Sequence, residues 1–121
     1  MTTEELKKRT KRFSIDVIKL IERLPKTTAA FVIGKQVLRS ATSVGANYRA
    51  ACRVRSTADF ISKITIVEEE ADESQYWLEL LEEAEIYIAE ELKKLIKEAN
   101  ELTAIFTASG KTAKEKLRST K

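Results

Sequence analysis

The sequence predicts an all-α protein, an antiparallel up-down-up-down four-helix bundle. Two observations carry that prediction. Apolar residues recur in alternating steps of three and four along most of the chain, the spacing that lays a stripe along one side of an α-helix. The 121 residues include one Pro and three Gly, too few for the turns of an all-β fold. A chain of this length reads as a single domain, residues 1–121, that buries about two-thirds of its unfolded surface and needs no metal or disulfide to fold.

The first helix is expected over residues 3–24, where Leu6, Thr10, Phe13, Val17, Leu20 and Leu24 form the stripe. It stops before Pro25, because proline disfavours helix in the residue ahead of it, and Thr27 or Thr28 can cap the next helix. The second helix is expected over 28–55, with Ala30, Val37, Ala41, Val44, Tyr48, Ala51 and Cys52 on one broad face. Ser56-Thr57-Ala58-Asp59 then resembles a capping box and opens a third helix over 57–85. This helix has the cleanest pattern, with Phe60, Ile64, Val67, Ala71, Ser74, Leu78 and Leu81 spaced over three heptads. Trp77 and Ala84 widen its stripe. The turn at Glu85-Ile86-Tyr87-Ile88 lacks a Gly or Pro breaker. A fourth helix is expected over 89–109, carried by Leu92, Leu95, Ala99, Leu102, Phe106 and Ser109. Gly110 is expected to end or fray it, leaving a basic, mobile tail over 110–121.

Composition narrows the chemistry. With no His there is no imidazole base, no Ser-His-Asp triad and no His-ligated zinc or haem. One Cys makes neither an internal disulfide nor a multi-thiolate metal site. Gly34, Gly45 and Gly110 are too scattered for a phosphate-cradling loop. No cofactor and no catalytic constellation are therefore expected, and the chain reads as a non-enzyme. The charged N-terminus MTTEELKKRTKRF lacks an apolar signal-peptide core, and no apolar run reaches the ~18 residues that span a bilayer. The expectation is a cytoplasmic protein with no membrane partner.

The net charge of +3 hides a segregation. Residues 1–58 hold 13 Lys/Arg against 4 Asp/Glu, residues 59–85 one Lys against ten acids, and residues 86–121 eight bases against five acids. No acid occurs between Glu22 and Asp59. On the second helix Lys35, Arg39, Arg49 and Arg53 fall within about 80° of one another, opposite the apolar face, at about 100° per residue. Thr42 and Ala46 lie between them, short enough to let a phosphate approach, while Arg55 points elsewhere. Lys7, Lys8, Lys11 and Arg12 add a second basic cluster on the first helix. Guanidinium groups bind phosphate oxygens bidentately, so the functional reading is a phosphate-binding surface. The plainer reading is a solvated face, or one that pairs with the acidic third helix of a neighbour.

The acidic run Glu68-Glu69-Glu70-Ala71-Asp72-Glu73 faces the same comparison. A carboxylate di-metal site needs inward Glu residues and Glu-x-x-His pairs; here the inward positions are Val67, Ala71 and Ser74. A solvated or docking face is expected instead. Cys52 reads as a small hydrophobe, and Tyr48, Phe60 and Trp77 as core or interface. Gly45 and Ala46 permit close helix approach, and Asn47 beside them is a candidate for fixing register by hydrogen bonding.

The segment Leu38–Leu81 resembles the bacterial four-helix-bundle proteins encoded by intervening sequences within 23S ribosomal RNA genes. The pieces that carry the resemblance are Arg39-Ser40-Ala41-Thr42-Ser43-Val44-Gly45-Ala46-Asn47, Arg53-Val54-Arg55-Ser56 leading into Asp59-Phe60-Ile61, Glu69 with Ala71, and Tyr76-Trp77-Leu78-Glu79-Leu80. Lys97-Glu98-Ala99-Asn100-Glu101-Leu102 and Ile105-Phe106 also fit, so the likeness covers residues 5–115. That family is similar in turn to the accessory protein of diversity-generating retroelements, which works with a reverse transcriptase. The resemblance implies a ring-like homopentamer with a basic, nucleic-acid-binding surface, and Gly45, Asn47 and Trp77 are the residues expected to serve assembly or register. Two positions depart from the pattern: Ala50-Ala51 replaces a common Glu-Gly pair, and Glu85 stands where many members have Gly.

Two functions follow as expectations. One is an oligomer that binds RNA or DNA sequence-tolerantly through the basic stripe. The other is a scaffold whose basic and acidic faces serve only ring assembly or docking of a protein partner.

Overall fold

Three of the four helices start where a hydroxyl can cap them. Thr2, Thr27 and Ser56 are extended, and each accepts a hydrogen bond from the amide three residues on. At Thr2 the box is complete, because Glu5 reaches back to the Thr2 amide; these bonds hold the Glu5 carboxyl below its ordinary range. The structure is a computed structural model and describes residues 1–119. Its helices are α1 (Thr3–Ile21), α2 (Thr28–Ala51), α3 (Thr57–Glu83) and α4 (Glu90–Ser119), with no strand among the described residues.

Short connections make successive helices antiparallel. α2 packs on α1 and α3, α4 packs on α3 and more lightly on α1, and the diagonal pairs do not adjoin. This is the up-down-up-down bundle. The stripes meet on its axis. Phe13, Val17, Leu20, Val37, Val44, Ile64, Val67, Leu78, Leu81, Leu92, Leu102 and Phe106 are fully buried. The Tyr48 and Phe106 rings meet across the core at 5.3 Å.

The C-terminal boundary of every helix differs from the sequence expectation, and α4 starts at Glu90 rather than 89. α1 closes at Ile21, and Glu22–Leu24 continue it only as a turn. α2 stops at Ala51 rather than 55, because Ser56 must be extended to cap α3 and the chain has to leave α2 beforehand. Arg53 therefore sits on the turn just past α2, its amide bonded to the Ala50 carbonyl.

α3 ends in a Schellman cap rather than at a breaker. Glu85 takes the left-handed conformation, φ 57°, and donates to the Glu82 carbonyl, while the Ile86 amide reaches back to Leu81. Glu85 thus does what a Gly does at this position.

Gly110 does not end α4. The helix runs through it to Ser119, and Gly110 and Ala113 are buried. A β-carbon at Gly110 would meet Ile64 at 3.4 Å, so this turn of α4 lies against α3. Burial of Phe106 and Ala113 on either side carries the helix through the roughly 1 kcal/mol penalty of glycine. The expected tail is helical from 110 to 119; its last two positions, 120 and 121, lie outside the described residues.

Two hydroxyl contacts tie neighbouring helices inside the bundle. Ser14 donates to the Ala41 carbonyl at 3.0 Å, joining α1 to α2. Ser74 donates to Ser40 at 2.9 Å, joining α3 to α2, with both residues buried. The Asn47 amide bonds to Ser43 on its own helix, because its position puts it within reach of the carbonyl four residues back.

Candidate nucleic-acid interface

The two basic clusters of the sequence lie on different helices, and antiparallel packing of α1 against α2 brings parts of both to one groove. Lys7, Lys8 and Lys11 form the α1 wall. Arg49, and Arg53 just beyond the helix end, form the α2 wall. Thr42, Gly45 and Ala46 make the floor, with Ser14 beside them, and the groove encloses about 520 Å³.

Small residues make it possible. A β-carbon on Gly45 would stand 3.5 Å from the Thr10 backbone, in ordinary contact, so α2 passes close to α1 at this crossing. Lys7 and Lys11 are four residues apart on α1, which places them about 6 Å apart along that wall.

Charge in the groove is lightly opposed. Glu4 is the one acid lining it and pairs with Lys7 at 3.3 Å. Such an exposed pair contributes about 0–1 kcal/mol and is readily exchanged for another anion. Among the described residues, Lys8, Lys11, Arg49 and Arg53 make no ion pair.

The rest of the expected stripe is divided. Arg39 is not available as a free phosphate contact: it bonds Glu70 at 2.9 Å and also Glu73, both on α3. Burial pulls its guanidinium pKa down, but the charges of Glu70 and Glu73 raise it on balance. The sequence shows no acid near Arg39 on its own helix; the acids arrive from the neighbour. Lys35 stands over the Phe31 ring at 5.4 Å, a cation–π contact away from the groove. Arg12 faces the α1/α4 side and pairs with Asp16 at 3.8 Å. Arg55 lines a hollow at the end of the bundle with Tyr48 and Cys52. Trp77 is half-buried against the core, and its indole N–H donates to Glu73 at 3.2 Å.

One basic residue that the sequence pattern does not single out is Arg9. It forks onto Glu98, with two bonds of 2.7 Å, and reaches Glu101 at 3.1 Å. The Glu98 hydrogen bond is the main reason its pKa is raised. Arg23 bonds Glu91 further along the same α1/α4 seam, and Glu91 also accepts from Tyr87. The sequence signal is the placing of Glu98 and Glu101, three apart and flanking the α4 stripe. The lighter α1/α4 packing is thus closed by charge, and α1 is held where its lysines face α2.

A sequence model of the 23S rRNA-intervening sequence protein family matches residues 3–108, which include α1, α2, α3, α4 as far as residue 108, and every described lining residue of the groove. The chain belongs to this family. It is also similar to a crystal structure of a protein of unknown function from the S23 ribosomal protein family of Bacteroides thetaiotaomicron. Identity is 35%, the TM-score is 0.82, and the match covers 92% of this chain and 99% of that one. No match was found among curated proteins. Membership in the intervening-sequence family accounts for the bundle and its connectivity; the groove has to be read from its chemistry. Among the described residues, no helix is long and apolar enough to cross a membrane.

Proposed function

We propose that this intervening-sequence family member is a non-enzymatic protein that binds the phosphate backbone of nucleic acid, sequence-tolerantly, in the groove between α1 and α2. One observation carries the reading: five cations from two helices converge on a floor of small residues, and four of them have no ion-pair partner among the described residues. Arrays of this kind position nucleic acid without reading it. Arg39 and Lys35, which the helical wheel places in the same stripe, are outside the working site.

The test is fluorescence anisotropy with RNA and DNA oligonucleotides across about 50–200 mM salt. Five phosphate contacts release counterions with a log–log slope of about −4.5 on a duplex. Lys8→Ala/Lys11→Ala/Arg49→Ala/Arg53→Ala should lower binding at low salt by orders of magnitude and flatten the slope to about −1. Arg39→Ala should leave the slope unchanged. Equal binding by wild type and the four-site variant refutes the reading.

A second reading, self-assembly into a homo-oligomer, is favoured by a different patch. Phe31 and Val32 are 67% and 51% exposed at the start of α2, beside a hollow lined by Ile21, Leu24, Pro25 and Leu38. Apolar side chains grouped in this way mark an interaction surface. Phe31→Lys/Val32→Lys should then reduce the mass seen by light scattering. A wild-type monomer, or an unchanged oligomer in the variant, removes that reading.

A further inference from the structure

We infer that the α1/α2 groove takes one strand of a double helix in preference to a single strand. This rests on the nucleic-acid reading above and adds the class of nucleic acid to it.

The ground is what the groove has left to offer a ligand. Its two neutral hydroxyls have already spent their protons. Thr42 donates to the Leu38 carbonyl at 2.8 Å and lies 3.2 Å from that of Arg39. Ser14 donates to the Ala41 carbonyl at 3.0 Å and lies 3.3 Å from that of Thr10. Gly45 and Ala46 carry no polar side-chain atom, and both sit in the interior of α2, where their amides belong to the helix ladder. The hydroxyl oxygens can still accept, but the donors left to bond outward to a phosphate are the charged heads.

Proteins that hold single strands combine a basic track with aromatic side chains on which the unpaired bases stack. None of the described residues lining this groove is aromatic. The aromatic residue of α2 nearest the groove in sequence, Tyr48, is buried in the core against Phe106. A single strand would gain phosphate contacts alone, and would have to be ordered to make them.

A duplex arrives with its bases already stacked and paired and its phosphates already ordered. It also carries one charge per about 1.7 Å of axis, against about 3.4 Å for one strand, and releases more counterion per contact. A groove whose outward donors are cations and whose described lining has no aromatic platform is therefore matched to the duplex backbone.

The experiment uses the full chain and four labelled probes of equal length and mixed sequence: single-stranded RNA, single-stranded DNA, and the two corresponding duplexes. The expected result is duplex binding about tenfold or more tighter than single-strand binding, with a steeper salt slope for the duplexes. A gain-of-function variant completes the test. Ala46→Trp puts the missing platform on the exposed floor, and should raise single-strand affinity about fivefold or more without raising duplex affinity. Single strands that bind as tightly as duplexes overturn this inference while leaving the nucleic-acid reading standing. Absence of binding to all four probes at low salt overturns both.

Discussion

Replacing Glu85 by Gly should stabilise the protein. Glu85 holds φ at 57°, where a β-carbon crowds the following carbonyl at a cost of about 1–2 kcal/mol. Glycine escapes that cost but gives the unfolded chain more freedom, which offsets roughly 0.5–1 kcal/mol of the gain. A second contribution has the same sign. α3 ends in Glu82 and Glu83 with no base in its last turn, so Glu85 adds a third acid at the negative end of the helix dipole, and removing it gains about 0.3 kcal/mol. The sum is about 1 kcal/mol, or roughly 3–6 °C in Tm for a domain of this size. Thermal and urea unfolding followed by helical circular dichroism would measure it. Glu85→Ala separates the two contributions, since it removes the charge but keeps the β-carbon, and should gain only about 0.3 kcal/mol. Glu85→Asn, which tolerates the left-handed region better, should fall between the two. If Glu85→Ala matches Glu85→Gly, or if Glu85→Gly lowers stability, the argument from backbone conformation is wrong.

Two further outcomes are expected. Ser40→Ala and Ser74→Ala should each cost about 1 kcal/mol, because each leaves a buried hydroxyl with one bond fewer. The double variant should cost no more than one single, as two apolar groups replace the pair, and strictly additive urea-unfolding energies would show that the hydroxyls do not couple. The Tyr48 hydroxyl gives a pH dependence. Burial, helped by the neighbouring Cys52, pushes its pKa from 10.0 up to about 12. Between those values the folded chain keeps a proton that the unfolded chain releases, so this contribution is full below pH 10 and is lost as pH rises towards about 12. Urea unfolding across that window should show a shallower decline in Tyr48→Phe than in wild type. Identical declines would mean that Tyr48 titrates alike in both states.

Much of the bundle is legible in the sequence because helix burial follows period and cap chemistry, and both are local. The positions that period selects on α3, from Ile64 to Leu81, are all buried. The hydroxyl caps at Thr27 and Ser56 are those the sequence marks. Boundaries fail where a neighbour decides. Gly110 looks like a stop until Ile64 is beside it, and Glu85 looks like helix until the Schellman bonds to Leu81 and Glu82 close.

The site divides in the same way. A helical wheel places Lys35, Arg39, Arg49 and Arg53 on one stripe, since angle around a single helix is a local property. Which of those cations remain free is not local. α3 delivers Glu70 and Glu73 to Arg39, while α1 brings three lysines to Arg49 and Arg53. The sequence by itself determined four amphipathic helices, their order and a segregation of charge along the chain. Only the tertiary structure decided which charges neutralise one another and which converge on a shared groove, because ion pairing depends on distances of a few ångströms between helices that are far apart in sequence.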